Sequence, residues 1–314
     1  MSVTVIIPTY NRAAILAKTL EAYGRQTGDH RIREILVVDD GSTDGTRAVV
    51  EKVSESCHLV RYLRQTNQGL AAARNHGIRE ATGDLLLFGD DDIIPSPHLT
   101  AEHVKWQDRC PEGNCGVLGY VAWWPEVRPT PFMRWSGLYG PQFSFGRFKQ
   151  GQQLPYEVAY FCNTSVPAEF LRAGGMFSEN FRTYGYEDIE LSYRLAKKGY
   201  RCFFNRDAIG YHNKFETCAD TLRRVDQLYR SWPEFAKTEA GQDFLEKWRS
   251  NRSTSKRGVS RQVLATLKPV ITPFLRPILD THIPLPKWVY ERVFYSYVTS
   301  FADIVGEPVS GAQA

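Results

Sequence analysis

Short, fully apolar runs alternate with stretches of helical spacing through the first hundred residues. The apolar runs cover residues 3–7, 35–38, 59–63 and 85–88. Helices are predicted over residues 13–23, from a cap at Ser42 or Thr43 to residue 53, and over residues 70–81. Strands without a polar face, separated by helices, indicate a parallel sheet covered on both sides. With 314 residues and a 42% apolar share, the chain can bury such a core, which excludes a disordered or fibrous protein.

The predicted strands end in acidic residues. Asp39 and Asp40 follow the second strand, and Asp90, Asp91 and Asp92 follow the fourth. Ligands of such sheets bind at the carboxyl ends of the strands. Converging carboxylates repel one another unless a cation or hydrogen-bond donors offset the repulsion.

The acids allow two interpretations each. Oxygen ligands at residues 90–92 suit Mg²⁺ or Mn²⁺ carrying a diphosphate, but a short acidic motif is also typical of a solvated turn. Asp39 and Asp40 could accept hydrogen bonds from a ribose or a base, or serve a helix-capping turn.

Three further positions carry chemistry. Arg74, in the third helix, could face a phosphate, pair with Asp90 or Asp39, or be an ordinary surface arginine. Glu187 and Asp188 open a later helix, where acids complement the dipole or provide a general base. His212 follows an apolar strand and is either structural or a ligand of the metal or phosphate.

Residues 113–165 are rich in aromatic residues, glycine and proline, and we expect a long irregular segment there. Strand and helix signals return over residues 167–212, with strands near 201–204 and 208–211. Residues 219–250 have a helical, charged pattern. Because aromatic faces suit sugar rings and lipid-like groups, the segment is expected either to shape a pocket for such a molecule or to fill a core.

The tail from residue 247 to 279 contains eight basic residues and no acidic one. Its apolar part is broken by prolines and cannot cross a bilayer as one helix, but it could lie on an anionic membrane surface. We find no secretory signal, so the six cysteines are predicted to be reduced thiols in a cytoplasmic protein, and Cys110 with Cys115 makes at most half of a zinc site. A net charge of +4 is too small to indicate nucleic-acid binding.

The absence of several nucleotide-binding and catalytic motifs limits the classes of protein to which the chain can belong. The chain has no Gly-X-Gly-X-X-Gly after its first strand, no P-loop and no Gly-X-Ser-X-Gly elbow. Two other classes of protein stay open as alternatives for the whole chain. A metal-dependent nucleotidyltransferase would need a glycine-rich basic loop after strand one, where the chain has Pro8-Thr9-Tyr10-Asn11. A non-catalytic sugar-nucleotide-binding module would not need both Asp92 and Asp188.

Five motifs in order resemble the family 2 glycosyltransferases, which are inverting enzymes with the GT-A fold. They are VIIPTYNR at 5–12, VVDDGSTD at 37–44, NQG at 67–69 with ARN at 73–75, GDDD at 89–92 and GYED at 185–188. The resemblance covers roughly residues 1–215. It implies a GT-A α/β fold with a doubly wound, mixed but mostly parallel sheet.

The resemblance also implies roles for individual residues. Thr9 and Asp39 would contact the base, Asp90 the ribose or sugar, and Asp92 the metal. Asp188 would be the general base. The remaining implied nucleotide-sugar contacts are Pro8, Tyr10, Arg12, Asp40, Asn67, Gly69, Arg74 and Asp91. Glu187 would lie beside the base, His212 at the metal, and Trp123, Trp124, Tyr184 and Tyr186 near the acceptor.

We therefore expect a glycosyltransferase domain over residues 1–215, divided into a nucleotide-sugar half (1–112) and an acceptor half (113–215). Residues 216–314 are expected to form a helical extension that is membrane-peripheral or oligomerising. The expected cofactor is Mg²⁺ or Mn²⁺. The expected donor is a nucleotide sugar, with a UDP-sugar favoured, and the acceptor a sugar, a lipid-linked group or a small molecule. The predicted location is the cytoplasm or the inner face of its membrane.

Overall fold

The computed structural model describes residues 1–26, 31–110, 112–158, 160–253 and 277–297. Its strands are β1 Val3–Thr9, β2 Ile32–Asp39, β3 Val60–Arg64, β4 Leu85–Gly89, β5 Ile93–Pro95, β6 Cys115–Trp123, β7 Gln153–Leu154, β8 Asn163–Pro167 and β9 Arg201–His212. Its helices are α1 Ala13–Gly24, α2 Thr46–Ser56, α3 Leu70–Glu80, α4 Leu99–Gln107, α5 Pro131–Leu138, α6 Ala168–Gly174, α7 Glu187–Lys197, α8 Cys218–Phe235, α9 Glu239–Ser253 and α10 Lys287–Tyr297.

All described strands join one mixed sheet in the order β3-β2-β1-β4-β8-β6-β9-β5, with β7 also paired to β9. Strands β3, β2, β1 and β4 are parallel, as are β6 and β9, while β8 runs antiparallel to both of its neighbours. Every residue of β1 is buried. Ile6 packs into one apolar layer, and Val5 and Ile7 into the layer on the opposite face. The predicted α/β class and the doubly covered sheet are confirmed.

The prediction of an irregular segment over residues 113–165 is wrong, because the segment contains β6 and β8 in the middle of the sheet. Two glycines make β6 difficult to recognise as a strand from the sequence. A Cβ at Gly116 would lie 1.8 Å from the Tyr200 hydroxyl, and one at Gly119 would lie 2.4 Å from the Ala208 carbonyl oxygen. The close approach of a neighbouring side chain at Gly116 and of a backbone carbonyl at Gly119 therefore requires glycine here, although glycine in a sequence is typical of a turn.

Two boundaries differ from the predictions. Helix α2 starts at Thr46 and has no side-chain N-cap, while the Ser42 hydroxyl accepts a hydrogen bond from the Asn11 backbone N–H instead. The two strands predicted near 201–211 are the single strand β9, in which a register shift opposite Gly119 and Tyr120 accommodates the intervening polar residues.

Helices α8 and α9 pack against the start of α7. Trp232 and Phe235 of α8 form an apolar cluster with Phe181 and Tyr186. A second cluster joins Leu279, Tyr290 and Phe294 to Phe132 and Trp135 of α5. The described C-terminal residues therefore cover the acceptor half predicted from the sequence.

The prediction of reduced thiols is wrong for one pair, since Cys110 and Cys115 form a disulfide. The loop from α4 returns at once into β6 and brings the two Cα atoms to 6.0 Å, within the usual disulfide range. Cys110 and Cys115 therefore do not form half of a zinc site, because the sulfurs of a disulfide are not thiolate ligands. The other four cysteines are present as thiols.

No helix in the described ranges is both long and apolar enough to cross a bilayer. Most of the basic stretch that carries the membrane prediction, residues 254–276, lies outside the described residues.

Candidate active site

Three parallel strands bring their polar ends to one edge of the sheet. Thr9 ends β1 and pairs in register with Asp39 at the end of β2. On the other side of β1, strand β4 leads directly into Asp90, Asp91 and Asp92. The predicted convergence of carboxylates at this edge is therefore present.

The three aspartates after β4 have different surroundings. The Asp91 carboxylate accepts a 2.8 Å hydrogen bond from the Thr9 hydroxyl. The backbone carbonyl oxygen of Asp91 accepts another from the Thr19 hydroxyl. Asp92 lies between Arg12 and His212, with Arg12 Nη1 and His212 Nε2 each 3.5 Å from one of its carboxylate oxygens. Asp91 and Asp92 thus have separate partners, although they are neighbours in the loop.

Electrostatics separates Asp91 from Asp92. Burial, reinforced by the neighbouring charge of Asp92, raises the pKa of Asp91. Burial also disfavours ionisation of Asp92, but the facing His212 and Arg12 outweigh it and hold the pKa of Asp92 below its ordinary value. Asp92 is therefore the more acidic member of the pair.

Arg74 connects this loop to the start of α7. Its side chain is 3% exposed, and Nη1 lies 2.7 Å from the Asp188 carboxylate and 3.5 Å from that of Glu187. Its Nη2 lies 3.5 Å from Asp90 and donates to the carbonyl oxygen of Phe161. One buried guanidinium therefore faces three acids from two distant parts of the chain. Of the two predicted pairings, the structure shows the one with Asp90.

Asp188 is held in place and partly open. One carboxylate oxygen accepts from Arg74, the other accepts the Phe161 backbone N–H at 3.0 Å, and the side chain is 20% exposed. Glu187 is almost fully buried and accepts the Gly185 N–H, and burial together with the charge of Asp188 raises its pKa. Of the two acids, Asp188 is the one a ligand can reach.

Asp39 and Asp40 organise loops. Asp39 is fully buried and accepts hydrogen bonds from the Ser42 N–H and the Tyr62 hydroxyl. Asp40 accepts from the backbone N–H groups of Gln68 and Gly69, which places the loop before α3. A direct contact from Asp39 to a base would need these bonds to rearrange. The helix-capping interpretation does not hold either, because Asp39 closes the turn to Ser42 and α2 has no side-chain N-cap.

The surroundings of Asp92 fit a divalent cation. A carboxylate and an imidazole are both ligands of Mn²⁺, and two protein groups are enough when phosphate oxygens complete the coordination. The His212 Nδ1 atom is buried and has no hydrogen-bond partner among the described residues. The pair Asp92 and His212 would hold the ion, as predicted from the sequence.

The predicted acceptor residues divide into two groups. Trp123 is half-buried with its ring centroid 5.0 Å from that of His212, beside the site, and Trp124 contacts Tyr211. Tyr184 is 47% exposed. The Tyr186 ring instead stacks on Phe235 at 4.5 Å inside the α7–α8 cluster, so the structure gives it a packing role.

The remaining predicted contacts lie around this edge. Tyr10 is 48% exposed, Asn67 and Arg12 are open to solvent, and Gly69 adopts a positive φ of 93°. Pro8 is buried within β1. Two contributors were missed. Thr19 is a hydroxyl residue among the buried positions of α1, and a buried hydroxyl in an apolar helix face is a sequence signal that it has a partner. The Phe161 N–H is a backbone group, which no pattern of side chains reveals.

Comparison with known proteins gives a consistent result. The family model for glycosyl transferase family 2 matches residues 4–165. Validoxylamine A glucosyltransferase of Streptomyces hygroscopicus is 33% identical over 259 residues, covering 73% of this chain and 61% of that protein. Chondroitin synthase of Escherichia coli is 28% identical, covering 67% of this chain and 34% of its own length. The chain thus spans about six tenths of the first of these relatives.

Solved structures share the fold. The mannosyltransferase PcManGT of Pyrobaculum calidifontis, in complex with GDP-Man and Mn²⁺, has a TM-score of 0.55 and 22% identity, covering 94% of this chain and 73% of that one. Residues 1–349 of S. aureus TarS in complex with UDP-GlcNAc have a TM-score of 0.56 and 18% identity, covering 98% and 93%. At these identities the comparison supports the fold alone.

Proposed function

The chain belongs to glycosyl transferase family 2, and we propose that it transfers a sugar from a nucleotide diphosphate to an acceptor hydroxyl with inversion at the anomeric carbon. The observation that carries this proposal is the connection of Asp188 through Arg74 to the aspartate loop after β4. It places a fixed, reachable carboxylate beside a set of oxygen ligands suited to a metal diphosphate.

In this proposal Asp188 accepts the proton of the acceptor hydroxyl as the acceptor oxygen bonds to the anomeric carbon. The bond from that carbon to the nucleotide breaks on the opposite face, and one displacement inverts the configuration. Arg74 and the Phe161 N–H hold the Asp188 carboxylate in one orientation. A divalent cation, when bound, stabilises the charge that develops on the leaving diphosphate.

The donor is proposed to bind along the ends of β1, β2 and β4, at Thr9, Tyr10, Arg12 and Asn67. A UDP-sugar is the donor we favour. Of the two structural neighbours, TarS was solved with UDP-GlcNAc and PcManGT with GDP-Man and Mn²⁺, so the test below compares both nucleotides. The metal is proposed to be Mn²⁺ or Mg²⁺ at Asp92 and His212.

The direct test of function is product analysis. The full chain is incubated with Mn²⁺, a panel of UDP-, GDP- and dTDP-sugars and a mixture of sugar acceptors, and products are followed by NMR. We expect one donor to be consumed with a new glycosidic bond of configuration opposite to that of the donor. Retained configuration would contradict the single displacement. In a parallel incubation with nucleoside triphosphates and a sugar 1-phosphate, release of pyrophosphate would instead support the nucleotidyltransferase alternative.

The C-terminal residues are proposed to contact an anionic membrane surface from the cytoplasmic side. Ile283 and Trp288 are 61% and 58% exposed, and Arg292 lies over the Trp288 ring, so apolar and cationic groups share one surface. The cytoplasmic location stays a prediction, and the Cys110–Cys115 disulfide removes the argument from reduced thiols. Flotation with anionic vesicles should weaken after truncation near residue 246, and equal flotation would contradict the contact.

A further inference from the structure

A cavity of about 490 Å³ opens beside Trp123, on the side of the molecule formed by the end of β6, the start of α5 and the segment before α10. Its walls are formed by Trp123, Pro125, Arg128, Pro129, Arg134 and His282. The volume lies in the range of pockets that hold small-molecule ligands. Rigid apolar surface and nitrogen-bearing side chains line the same space.

The cationic side chains of this cavity lack counter-ions. Arg128 and Arg134 are exposed, and neither guanidinium forms an ion pair or a hydrogen bond with any residue that the structure describes. The nearby Glu126 is paired elsewhere, with Lys18 Nζ at 3.2 Å. Among the lining residues that the structure describes, two guanidinium groups and an imidazole therefore border the cavity without an acid to balance them, which favours an anionic ligand.

The fold holds the wall residues in place. The Trp123 indole N–H donates a 2.7 Å hydrogen bond to the Met133 carbonyl oxygen, which fixes the ring. Arg128 has a φ of 47°, in the left-handed region that non-glycine residues seldom adopt. The segment of His282 is anchored by the buried Leu279 on one side and by the Leu285 N–H, which donates to the Tyr290 hydroxyl, on the other. The cavity is thus formed before a ligand arrives.

The cavity adjoins the candidate metal position. Trp123 contacts His212 with ring centroids 5.0 Å apart, and His212 Nε2 lies 3.5 Å from Asp92. Trp123 therefore forms the part of the cavity wall that lies nearest the candidate metal position. Aromatic rings stack on the apolar face of a sugar, and guanidinium groups bind carboxylates and phosphates in bidentate fashion.

We propose that this cavity binds the acceptor and that it selects an acceptor carrying an acidic group, a carboxylate or a phosphate. Trp123 packs against the sugar ring, and Arg128 and Arg134, with His282, bind the acid. The inference rests on the proposed glycosyltransferase function, and it adds the chemical class of the acceptor and its specificity residues.

The test is equilibrium binding to the full chain in the presence of UDP and Mn²⁺, with three probes: methyl glucuronide, glucose 6-phosphate and neutral methyl glucoside. We expect at least one acidic probe to bind ten times more tightly than the neutral one. Preference for glucuronide assigns a carboxylate-bearing acceptor, and preference for the phosphate ester assigns a phosphate-bearing one. Equal affinity for all three probes, or no binding of either acidic probe, would overturn the proposal.

Two variants locate the effect. Arg128→Gly removes a guanidinium where glycine accepts the backbone conformation without strain, so folding is expected to be retained. Arg134→Gln removes the second guanidinium of the cavity. Each is expected to weaken binding of the acidic probe at least tenfold and to leave the neutral probe and UDP unchanged. Arg25→Gln, at a 73%-exposed side chain just after α1, is the matched loss of one charge and should change nothing.

The result separates this inference from the function on which it rests. If UDP fails to bind while the acidic probe binds and responds to both variants, the nucleotide-sugar proposal is wrong and the anion site stands. If UDP and Mn²⁺ bind normally while acidic-probe affinity is the same in Arg128→Gly, Arg134→Gln and the unmodified chain, the cavity is not an anion site.

Discussion

Replacing Asp188 by asparagine is expected to slow sugar transfer by about a thousandfold while nucleotide affinity changes by less than about threefold. The amide cannot accept the acceptor's proton, but its oxygen can still accept the Phe161 N–H that now reaches Asp188. Binding of the nucleotide is proposed to use the ends of β1, β2 and β4 instead, which this substitution leaves in place. The measurement is turnover with saturating donor, together with calorimetric titration of UDP and Mn²⁺.

The matched control is Asp226→Asn on α8, where the carboxylate is largely exposed and pairs only locally with Arg230. We expect normal turnover from that variant. Undiminished turnover in Asp188→Asn would remove the assignment of the general base. A parallel loss of nucleotide binding would instead assign Asp188 to the donor site.

Replacing Arg74 by methionine is expected to destabilise the fold by about 3–5 kcal/mol, the range found when one partner of a buried ion pair is removed. Asp90, Glu187 and Asp188 would lose the guanidinium that faces all three. Because the unpaired acids would then favour their protonated forms, the folded state would bind more protons, and the loss of stability should grow as the pH rises. Urea unfolding at two pH values measures both effects.

Arg79→Met provides the control on the same helix. Its side chain is 52% exposed and lies 3.7 Å from an exposed carboxylate of Glu179, so the expected cost is within about 1 kcal/mol. If Arg74→Met and Arg79→Met unfold at the same urea concentration, Arg74 does not hold the site together. A loss for Arg74→Met that is independent of pH would indicate lost packing alone.

Local chemistry explains what could be predicted from the sequence. The strands β1 and β4 are buried on both faces, so continuous apolar runs mark them, and their polar ends mark the edge where a ligand binds. The sequence offers the pairing of Arg74 with Asp90 as one alternative, since opposite charges attract, and the structure shows that pairing.

Features that depend on distant packing could not be predicted in this way. Strand β6 needs Gly116 and Gly119 because Tyr200 and Ala208 approach them, and neither neighbour is near in sequence. The Tyr186 ring turns toward Phe235 because α8 lies there, although its motif favours the acceptor site. The Cys110–Cys115 disulfide depends on how tightly the chain returns from α4 to β6.

The central claim is that Asp92 and its neighbours hold a divalent cation that binds the diphosphate of a nucleotide. The most direct measurement is calorimetric titration of UDP, GDP and dTDP with and without Mn²⁺, for the unmodified chain and for Asp92→Asn. We expect Mn²⁺ to strengthen the binding of one nucleotide at least tenfold, and Asp92→Asn to abolish that gain while leaving metal-free binding intact. An affinity that Mn²⁺ does not change, or a gain that survives in Asp92→Asn, would contradict the claim.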